Sequence, residues 1–414
     1  MALIFHHTLS SFRASLPLAE ARRLIVQSLA PLQSETVPLD RALGRFPISS
    51  QKSILPKPSY DQSTRDGYGL VAPRPLKKTE VSFDLIAEIA AGSLSSVTLS
   101  PGQAVRIMTG ARIPSGCSRV VPFEICREQG NRVMIPARAL QSPDRFIRHR
   151  GQDLSVGRVI AGAGIRVTPD HLLMLAENGR TSLQVHRQPG IAILCTGSEL
   201  VAPGREMQPG QKISGNGVLL RGLVEEAGGK CLGLYTASDT TRAITANLEE
   251  LLALKPDVII TTGGMGPGKF DLLEQVFARL GGKLLYNSLQ VRPGKSTMFG
   301  FLAGVPCLGL PGPPPAVRLL FHELVAPSLY RLQGKRRPIS PLYKARLLEP
   351  VSSGKSAHLN LKGGVIVFED ASLCVRLAGR LDAVSAVLHL RGKKRTLSTG
   401  ETVPVQVVTP FYGC

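Results

Sequence analysis

Hydrophobic and polar positions follow different patterns in different parts of this chain. Residues Pro17 to Leu29 carry apolar side chains at helical spacing, with Leu24, Ile25 and Leu29 on one face. Pro17 suits a first helical turn, and Ser15 is a candidate N-cap. The pattern therefore predicts a helix near the start of the chain.

The next pattern is typical of short strands. From Leu55 to Pro143, β-branched runs such as RVVPFEI and GQAVRIMTGARIPSG are separated by glycine and proline. This stretch predicts an irregular, mainly-β domain. It is inserted between residues 1–54 and 144–186, and we assign these two flanking segments to one small N-terminal and linker domain.

Strand-like and helix-like segments then alternate over 187–336. The apolar runs GIAILCTG, KCLGLYTA, DVIITTGG and VPCLGLPG each precede a helical pattern, the first two helices near 218–227 and 241–254. Strands followed by helices predict a doubly wound, mostly parallel sheet, which binds ligands beyond the carboxyl ends of its strands. The loops of interest are therefore Thr196–Leu200, Ala237–Thr240, Thr262–Asp271 and Pro311–Pro315.

The last segment, 337–414, alternates in short runs again. GGVIVFED, SLCVRLAG, AVSAVLHL and VPVQVVTP are rich in valine and leucine and follow the basic linker GKRRP. They predict a small all-β module.

Charge narrows the classes of partner. The 414 residues include 50 Lys and Arg against 30 Asp and Glu, a net charge of +20, which favours anionic ligands. Tryptophan is absent and aromatic residues make up 5%, so the stacking side chains of single-strand binders are scarce and nucleic acid is an unlikely partner.

Cysteine usage and hydropathy indicate the compartment. Seven cysteines at irregular spacing, with no CxxC pair, argue against a disulfide framework or a structural zinc site. No segment has about 18 uninterrupted apolar residues, and no signal-peptide pattern opens the sequence. We expect a cytoplasmic protein with no membrane partner.

One glycine-rich stretch suggests anion binding. In TTGGMGPGKFDLLEQV, residues 261–276, glycines separate a β-branched run from a helical one and would present backbone amides to a ligand. The stretch has neither the Gly-Lys-Ser/Thr ending of a nucleotide P-loop nor the dinucleotide-binding spacing.

Nine segments in order carry a resemblance to a known family. The chain resembles the molybdopterin molybdenumtransferases, which include the bacterial MoeA proteins and the gephyrin E domain. The segments are VPLDRALGR, PSYDQSTRDGYGL, RIMTGARIPSG, RHRGQDLSVG, CTGSELVAPG, GQKISGNG, TTGGMGPGKFD, VRPGKSTMFG and LGLPGPPPA.

The resemblance implies a fold and a reaction. The fold would be multidomain α/β, with a molybdopterin-binding doubly wound domain, the inserted mainly-β domain, the small N-terminal domain and the C-terminal all-β module. The substrates would be molybdopterin-AMP and molybdate, with Mg²⁺ assisting release of AMP. The family also implies a homodimer, with a cleft between the doubly wound domain of one subunit and the inserted domain of the other.

The resemblance also implies roles for single residues, carried over by motif. The catalytic candidates are Asp66, Thr109, Glu199 and Asp271. The candidate cation ligands are Asp271, Glu199 and Asp239. The candidate pterin-binding residues are Arg148, Asp153, Thr196, Gly197, Gly263, Gly264, Arg292, Lys295, Pro311 and Pro314.

Ordinary structural roles remain alternatives for several of these residues. Asp66 and Thr109 could satisfy local backbone groups, and Arg148 with Asp153 could be a surface ion pair. Glu199 could compensate a helix dipole, and Asp271 could cap a helix.

The chain departs from the family pattern at several positions: Ser118, Ser198, Ser238, Gly266 and Pro313. Lost carboxylates leave two rivals open, a non-catalytic molybdopterin binding or delivery protein and a molybdopterin adenylyltransferase, whose TTGGTG loop is similar. Possible partners are the adenylyltransferase itself and molybdoenzyme maturation proteins. Molybdenum and tungsten are not distinguished.

Overall fold

The computed structural model describes residues 12, 15–73, 79–93, 96–264, 272–354, 358–369, 371–392 and 395–408. The chain forms two compact units. The first unit comprises 1–49, 163–168 and 182–414, and the second comprises 50–162 and 169–181. The four-part domain division stays a prediction. Asp271 and Gly266 lie outside the described residues.

The helices are α1 (Leu18–Gln27), α2 (Ala137–Gln141), α3 (Pro169–Glu177), α4 (Asn216–Glu226), α5 (Thr241–Ala253), α6 (Leu272–Arg279), α7 (Pro314–Leu320) and α8 (Ala326–Leu332). A π-helical turn, Phe321–Val325, joins the last two. Short 3₁₀ turns lie at Leu39–Arg41 and Phe123–Ile125.

The strands are β1 (Ser34–Pro38), β2 (Gln51–Lys52), β3 (Gln62–Ser63), β4 (Gly67–Leu70), β5 (Glu80–Ile89), β6 (Gln103–Ile107), β7 (Arg119–Pro122), β8 (Arg127–Gln129), β9 (Arg132–Pro136), β10 (Ile147–Arg148), β11 (Val159–Ala161), β12 (Ser182–His186), β13 (Gly190–Thr196), β14 (Leu200–Val201), β15 (Lys212–Ile213), β16 (Lys230–Ala237), β17 (Val258–Thr262), β18 (Lys283–Tyr286), β19 (Val291–Arg292), β20 (Met298–Leu302), β21 (Val305–Leu310), β22 (Leu342–Leu347), β23 (Val351–Ser352), β24 (Leu359–Glu369), β25 (Ser372–Leu377), β26 (Ala386–Leu390), β27 (Thr396–Leu397) and β28 (Thr402–Val407).

The predicted doubly wound sheet is confirmed in the first unit. Its strand order is β16-β13-β17-β21-β20-β18: the first four strands pair in parallel, and β20 pairs antiparallel with both β21 and β18. Successive side chains of β13 enter different cores: Ile191 and Ile193 pack with α4 residues, whereas Ala192 and Leu194 pack with α5 and α6 residues. A strand buried on both faces needs this continuous apolar run.

Helix α1 differs in detail from its prediction. Pro17, and not Ser15, occupies the N-cap position, and its carbonyl accepts the amides of Glu20 at 3.0 Å and Ala21 at 3.1 Å. Ser15 is therefore not the cap. Leu18, Ala21 and Ile25 form the buried face of the helix.

The C-terminal strands of the first unit close into a ring. The pairings run β24-β25-β22-β28-β26 and return from β26 to β24. Inward residues such as Leu347, Val375, Leu388 and Val405 form its core. Strand β19 extends the ring by pairing parallel to β24.

The second unit is built on another six-stranded sheet, ordered β7-β4-β6-β5-β9-β8. Two apolar clusters pack against it, one around Leu70, Phe83 and Ile135 and the other around Ile89 and Ile107. Within the described ranges, no helix combines the length and the apolar character that crossing a membrane requires.

Candidate functional site

The parallel strands of the first unit end at one edge of the sheet. Thr196 of β13 lies opposite Ala237 of β16, and Thr262 of β17 lies opposite both Cys195 and Leu310. The loops that follow these strands therefore meet at the carboxyl edge, where α/β sheets bind ligands.

Two glycines let the chain after β17 pass directly over Thr196. A Cβ on Gly263 would lie 2.3 Å from the carbonyl oxygen of Thr196, and one on Gly264 would lie 2.8 Å from its hydroxyl. Both glycines have positive φ, +89° and +63°. Only glycine satisfies both the conformation and the space at this turn.

Ser198 and Asp239 connect two of these loops. The Ser198 amide donates to Asp239 Oδ2 at 3.1 Å, and the Asp239 amide donates to Ser198 Oγ at 2.9 Å. Asp239 thus turns toward the loop after β13, whereas the neighbouring Ser238 is exposed.

Asn216 is a site residue that the sequence analysis missed. Its amide, 9% exposed, donates to Thr262 Oγ1 at 3.2 Å and to the Gly312 carbonyl at 2.7 Å. Thr262 in turn donates to the Pro311 carbonyl at 2.9 Å. The signal was available in the matching segment GQKISGNG, where an asparagine opens the predicted helix after a strand.

Several buried oxygens at this edge have no hydrogen-bond partner among the described residues. They are Thr196 Oγ1, Asn216 Oδ1 and Asp239 Oδ1, together with Thr261 Oγ1 inside β17. Buried polar groups are nearly always bonded, so these oxygens are available to a ligand, an ion or ordered water.

The remaining predicted residues of the first unit occupy neighbouring positions. Gly197 donates its amide to the Ala237 carbonyl at 3.0 Å, and Glu199 is exposed beside it. Lys295 is exposed in the loop before β20, whose first residue, Met298, pairs with Gly309 at the same edge. Arg292, on β19, is exposed opposite Asn360. Pro311 and Pro314 frame the turn that leads into α7.

The donor chemistry at this edge suits a hard cation. Carboxylate and hydroxyl oxygens are the ligands that Mg²⁺ takes from proteins, and Asp239 offers an oxygen that no described residue contacts by a hydrogen bond. In the part of the chain that the structure describes, no three His, Cys, Asp or Glu side chains converge as a metal cluster. The predicted ligand Asp271 falls outside that part.

In the second unit, Asp66 and Thr109 form a close pair. Asp66 precedes β4, Thr109 follows β6, and the two strands pair antiparallel. The Thr109 amide and hydroxyl both donate to Asp66 Oδ1, each at 2.7 Å. These two bonds hold the pKa of Asp66 below its usual value. Thr109 can therefore satisfy a local structural role while Asp66 stays exposed and ionised.

Arg148 and Asp153 lie in the neighbouring loop of the same unit. The Arg148 guanidinium is 3.4 Å from the Asp153 carboxylate, and their side chains are 47% and 36% exposed. Asp61 organises this loop, because it accepts the Arg150 amide at 2.7 Å and contacts His149 Nδ1 at 3.0 Å. The backbone bond to Arg150 and the contact with His149 lower the pKa of Asp61.

Two family models match the chain. The MoeA N-terminal region, domains I and II, matches residues 16–179. A probable molybdopterin binding domain matches residues 192–331.

Crystal structures of the molybdopterin biosynthesis MoeA protein from Pyrococcus horikoshii share the fold. One has a TM-score of 0.78 at 27% identity, over 96% of this chain and all of that chain.

Curated relatives agree with these models. A molybdopterin molybdenumtransferase from Nostoc is 33% identical over 75% of this chain and 72% of its own length. The enzyme of the same name from Bacillus subtilis is 34% identical over 77% of this chain and 75% of its own length. The chain therefore belongs to the molybdopterin molybdenumtransferase family.

Proposed function

We propose that this protein is a molybdopterin molybdenumtransferase that acts in molybdenum cofactor biosynthesis. It would insert molybdate into adenylylated molybdopterin and release AMP in a Mg²⁺-dependent reaction. The observation that carries the proposal is that Thr196, Asn216 and Asp239, at the carboxyl edge of the sheet, each have a buried oxygen with no partner among the described residues. A ligand rich in polar groups would complete these bonds.

In this proposal each group of residues has one task. Gly263 and Gly264 let the pterin substrate approach the backbone. Asn216 holds the end of β17 to the loop after β21. Bound Mg²⁺ would neutralise negative charge on the phosphates, held by Asp239, Glu199 and Asp271.

Cationic and acidic side chains would serve the anionic parts of the substrates. Lys295 and Arg292 would bind the terminal phosphate of the pterin, a suitable role for exposed positive charges. Arg148 would contact phosphate or molybdate oxygens through its planar guanidinium, with Asp153 orienting it. Asp66, kept ionised by Thr109, would be a catalytic carboxylate.

We further propose that the protein works in the cytoplasm as a homodimer, with the adenylyltransferase that makes its substrate as a possible partner. Light scattering coupled to size exclusion tests the dimer. A chain of 44.3 kDa that elutes as a monomer under conditions where it is fully active would contradict it.

The decisive experiment measures two outputs separately. Purified protein receives molybdopterin-AMP, Mg²⁺ and molybdate, and both AMP release and cofactor formation are followed. The transferase produces both. In Asp271→Asn, which removes one charge but keeps N-capping capacity, AMP release should fall far more than pterin binding. A melting temperature that collapses together with activity would mean that Asp271 is structural.

A non-catalytic binding protein is the second candidate, because serine stands at 198 and 238 where the family usually has carboxylates. Retained pterin binding without AMP release would identify it. An adenylyltransferase would instead form molybdopterin-AMP from ATP. That activity needs only the doubly wound domain, so the whole second unit argues against it.

A further inference from the structure

A separate cavity lies in the first unit, and both polar and apolar residues line it. It has a volume of about 320 Å³. Its walls include the first turn of α1 at 17–19 and the side chains of Arg22, His358, His389 and Arg391. The volume falls at the small end of ligand pockets, which are about 300–1,000 Å³.

A buried polar network holds two of the lining side chains, Arg22 and His389, from behind. Glu323, from the π-helical turn, is fully buried and forms an ion pair with Arg22. His389 Nε2 contacts Glu323 Oε1 at 2.8 Å, and Arg22 Nη2 donates to Gln406 Oε1 at 3.1 Å. The network fixes Arg22 and His389, which are only 8% and 6% exposed.

Both fixed side chains keep a polar atom free within the described ranges. Arg22 uses Nε and Nη2 in its bonds, so Nη1 has no partner there. Burial lowers the pKa of Arg22 to about 10, which leaves it a cation at neutral pH. Arg391 likewise forms no hydrogen bond or ion pair with a described residue, so two guanidinium groups offer unused donors to the cavity.

His389 offers the opposite kind of group. Burial, aided by the charges of Arg22 and Arg391, lowers the pKa of His389 to about 3, so the imidazole is neutral. A neutral imidazole that meets a carboxylate through Nε2 carries its proton on that atom. Nδ1 therefore keeps a lone pair, and it has no donor among the residues described.

We propose that this cavity is a binding site for inorganic hydrogen phosphate. Its oxygens would accept hydrogen bonds from Arg22 and Arg391, and its remaining P–OH would donate to His389 Nδ1. The backbone amides in the first turn of α1 carry the positive end of the helix dipole, which favours an anion. Pro17 provides no side-chain cap for these amides. Sulfate, molybdate and a phosphate monoester dianion have no such proton, so the site would discriminate against all three.

Calorimetry on the full chain at pH 7.5 tests the site by titrating inorganic phosphate and sulfate separately, and by titrating phosphate again with molybdate or AMP already present, because the proposed transferase site would itself bind those two. We expect one phosphate per chain, with sulfate bound at least about tenfold more weakly because one hydrogen bond is missing. The proposal would be overturned if phosphate does not bind. It would also be overturned if sulfate or AMP binds at this site as tightly as phosphate does.

Two variants locate the binding. Arg391→Gln should weaken phosphate binding by about tenfold, because one charge-assisted bond is lost. Arg380→Gln, an exposed arginine in the same C-terminal region but outside the cavity, is the matched control and should not change it. Equal phosphate affinity in Arg391→Gln and the control would place the ligand elsewhere.

His389→Lys removes the acceptor. Its ammonium group can still donate to Glu323, so the buried network keeps a bond, and it has no lone pair to accept the phosphate proton. The preference for phosphate over sulfate should shrink to less than about threefold. A preference that persists undiminished would show that His389 does not receive the phosphate proton. Neither variant touches the proposed transferase site, so the result does not depend on that activity.

Discussion

Ser198 and Asp239 exchange two hydrogen bonds across the carboxyl edge of the parallel sheet, each amide donating to the other side chain at 2.9–3.1 Å. The exchange uses Asp239 Oδ2 and leaves Oδ1 buried without a partner in the described chain. Serine at 198, which looked like the loss of a carboxylate, thus fixes the position of the carboxylate that remains.

The first prediction concerns the charge of Asp239. Asp239→Asn should raise the Mg²⁺ concentration for half-maximal AMP release by about tenfold, because a neutral amide is a weaker ligand for a hard cation. The amide oxygen can still accept the Ser198 amide. Ser198→Ala is the comparison: it loses one loop bond but no charge, and its Mg²⁺ requirement should rise less than that of Asp239→Asn. Identical curves for all three proteins would exclude Asp239 as a ligand.

The second prediction restores the missing carboxylate. Ser238 is exposed next to Asp239, so Ser238→Asp should add a charged ligand without burying it. We expect AMP release to reach half its maximum at a lower Mg²⁺ concentration. Ser238→Asn, of similar size and neutral, should not have this effect. If the aspartate variant needs as much Mg²⁺ as the parent, this loop does not contact the cation.

The third prediction concerns the ionisation of Asp66. Thr109→Val removes the hydroxyl donor but keeps the amide donor, so the pKa of Asp66 should rise toward its ordinary value. A lowered carboxyl pKa keeps the group ionised as pH falls, and activity that needs the anion is lost as pH falls through that pKa. The acid limb of the pH–rate profile should therefore move to higher pH in the variant.

Carboxyl NMR titration checks the same shift directly. Thr109→Ser, which retains the hydroxyl, should reproduce the parent profile. A valine variant with an unmoved acid limb and an unmoved Asp66 titration would refute the coupling between these two residues.

The fourth prediction concerns the turn after β17. Gly263→Ala would place a methyl group 2.3 Å from the Thr196 carbonyl oxygen at a φ of +89°, so we expect a loss of about 1–3 kcal/mol in the free energy of unfolding. Gly204→Ala, at a φ of +84° with no atom within 4 Å of the added Cβ, measures the conformational cost alone. Urea unfolding of both variants compares them. Equal losses would show that the close approach to Thr196 costs nothing.

Some contacts within the candidate site could be predicted because short motifs record local demands. The glycines of TTGG must adopt positive φ beside a neighbouring strand, and no other residue does so readily. Asp66 and Thr109 were found through their motifs, although they are 43 residues apart. Asn216 was missed because its partners, Thr262 and Gly312, come from two loops far along the chain.

The sequence by itself determined the succession of strands and helices in the doubly wound sheet, because a strand buried on both faces requires an unbroken apolar run such as GIAILCTG. It also determined the family, through nine motifs in order. Only the tertiary structure decided which oxygens near the strand ends have no partner among the described residues. It alone joined Arg22 to Glu323, 301 residues away, and Glu323 to His389. Local patterns cannot specify such contacts, because the partners meet only after distant elements have packed together.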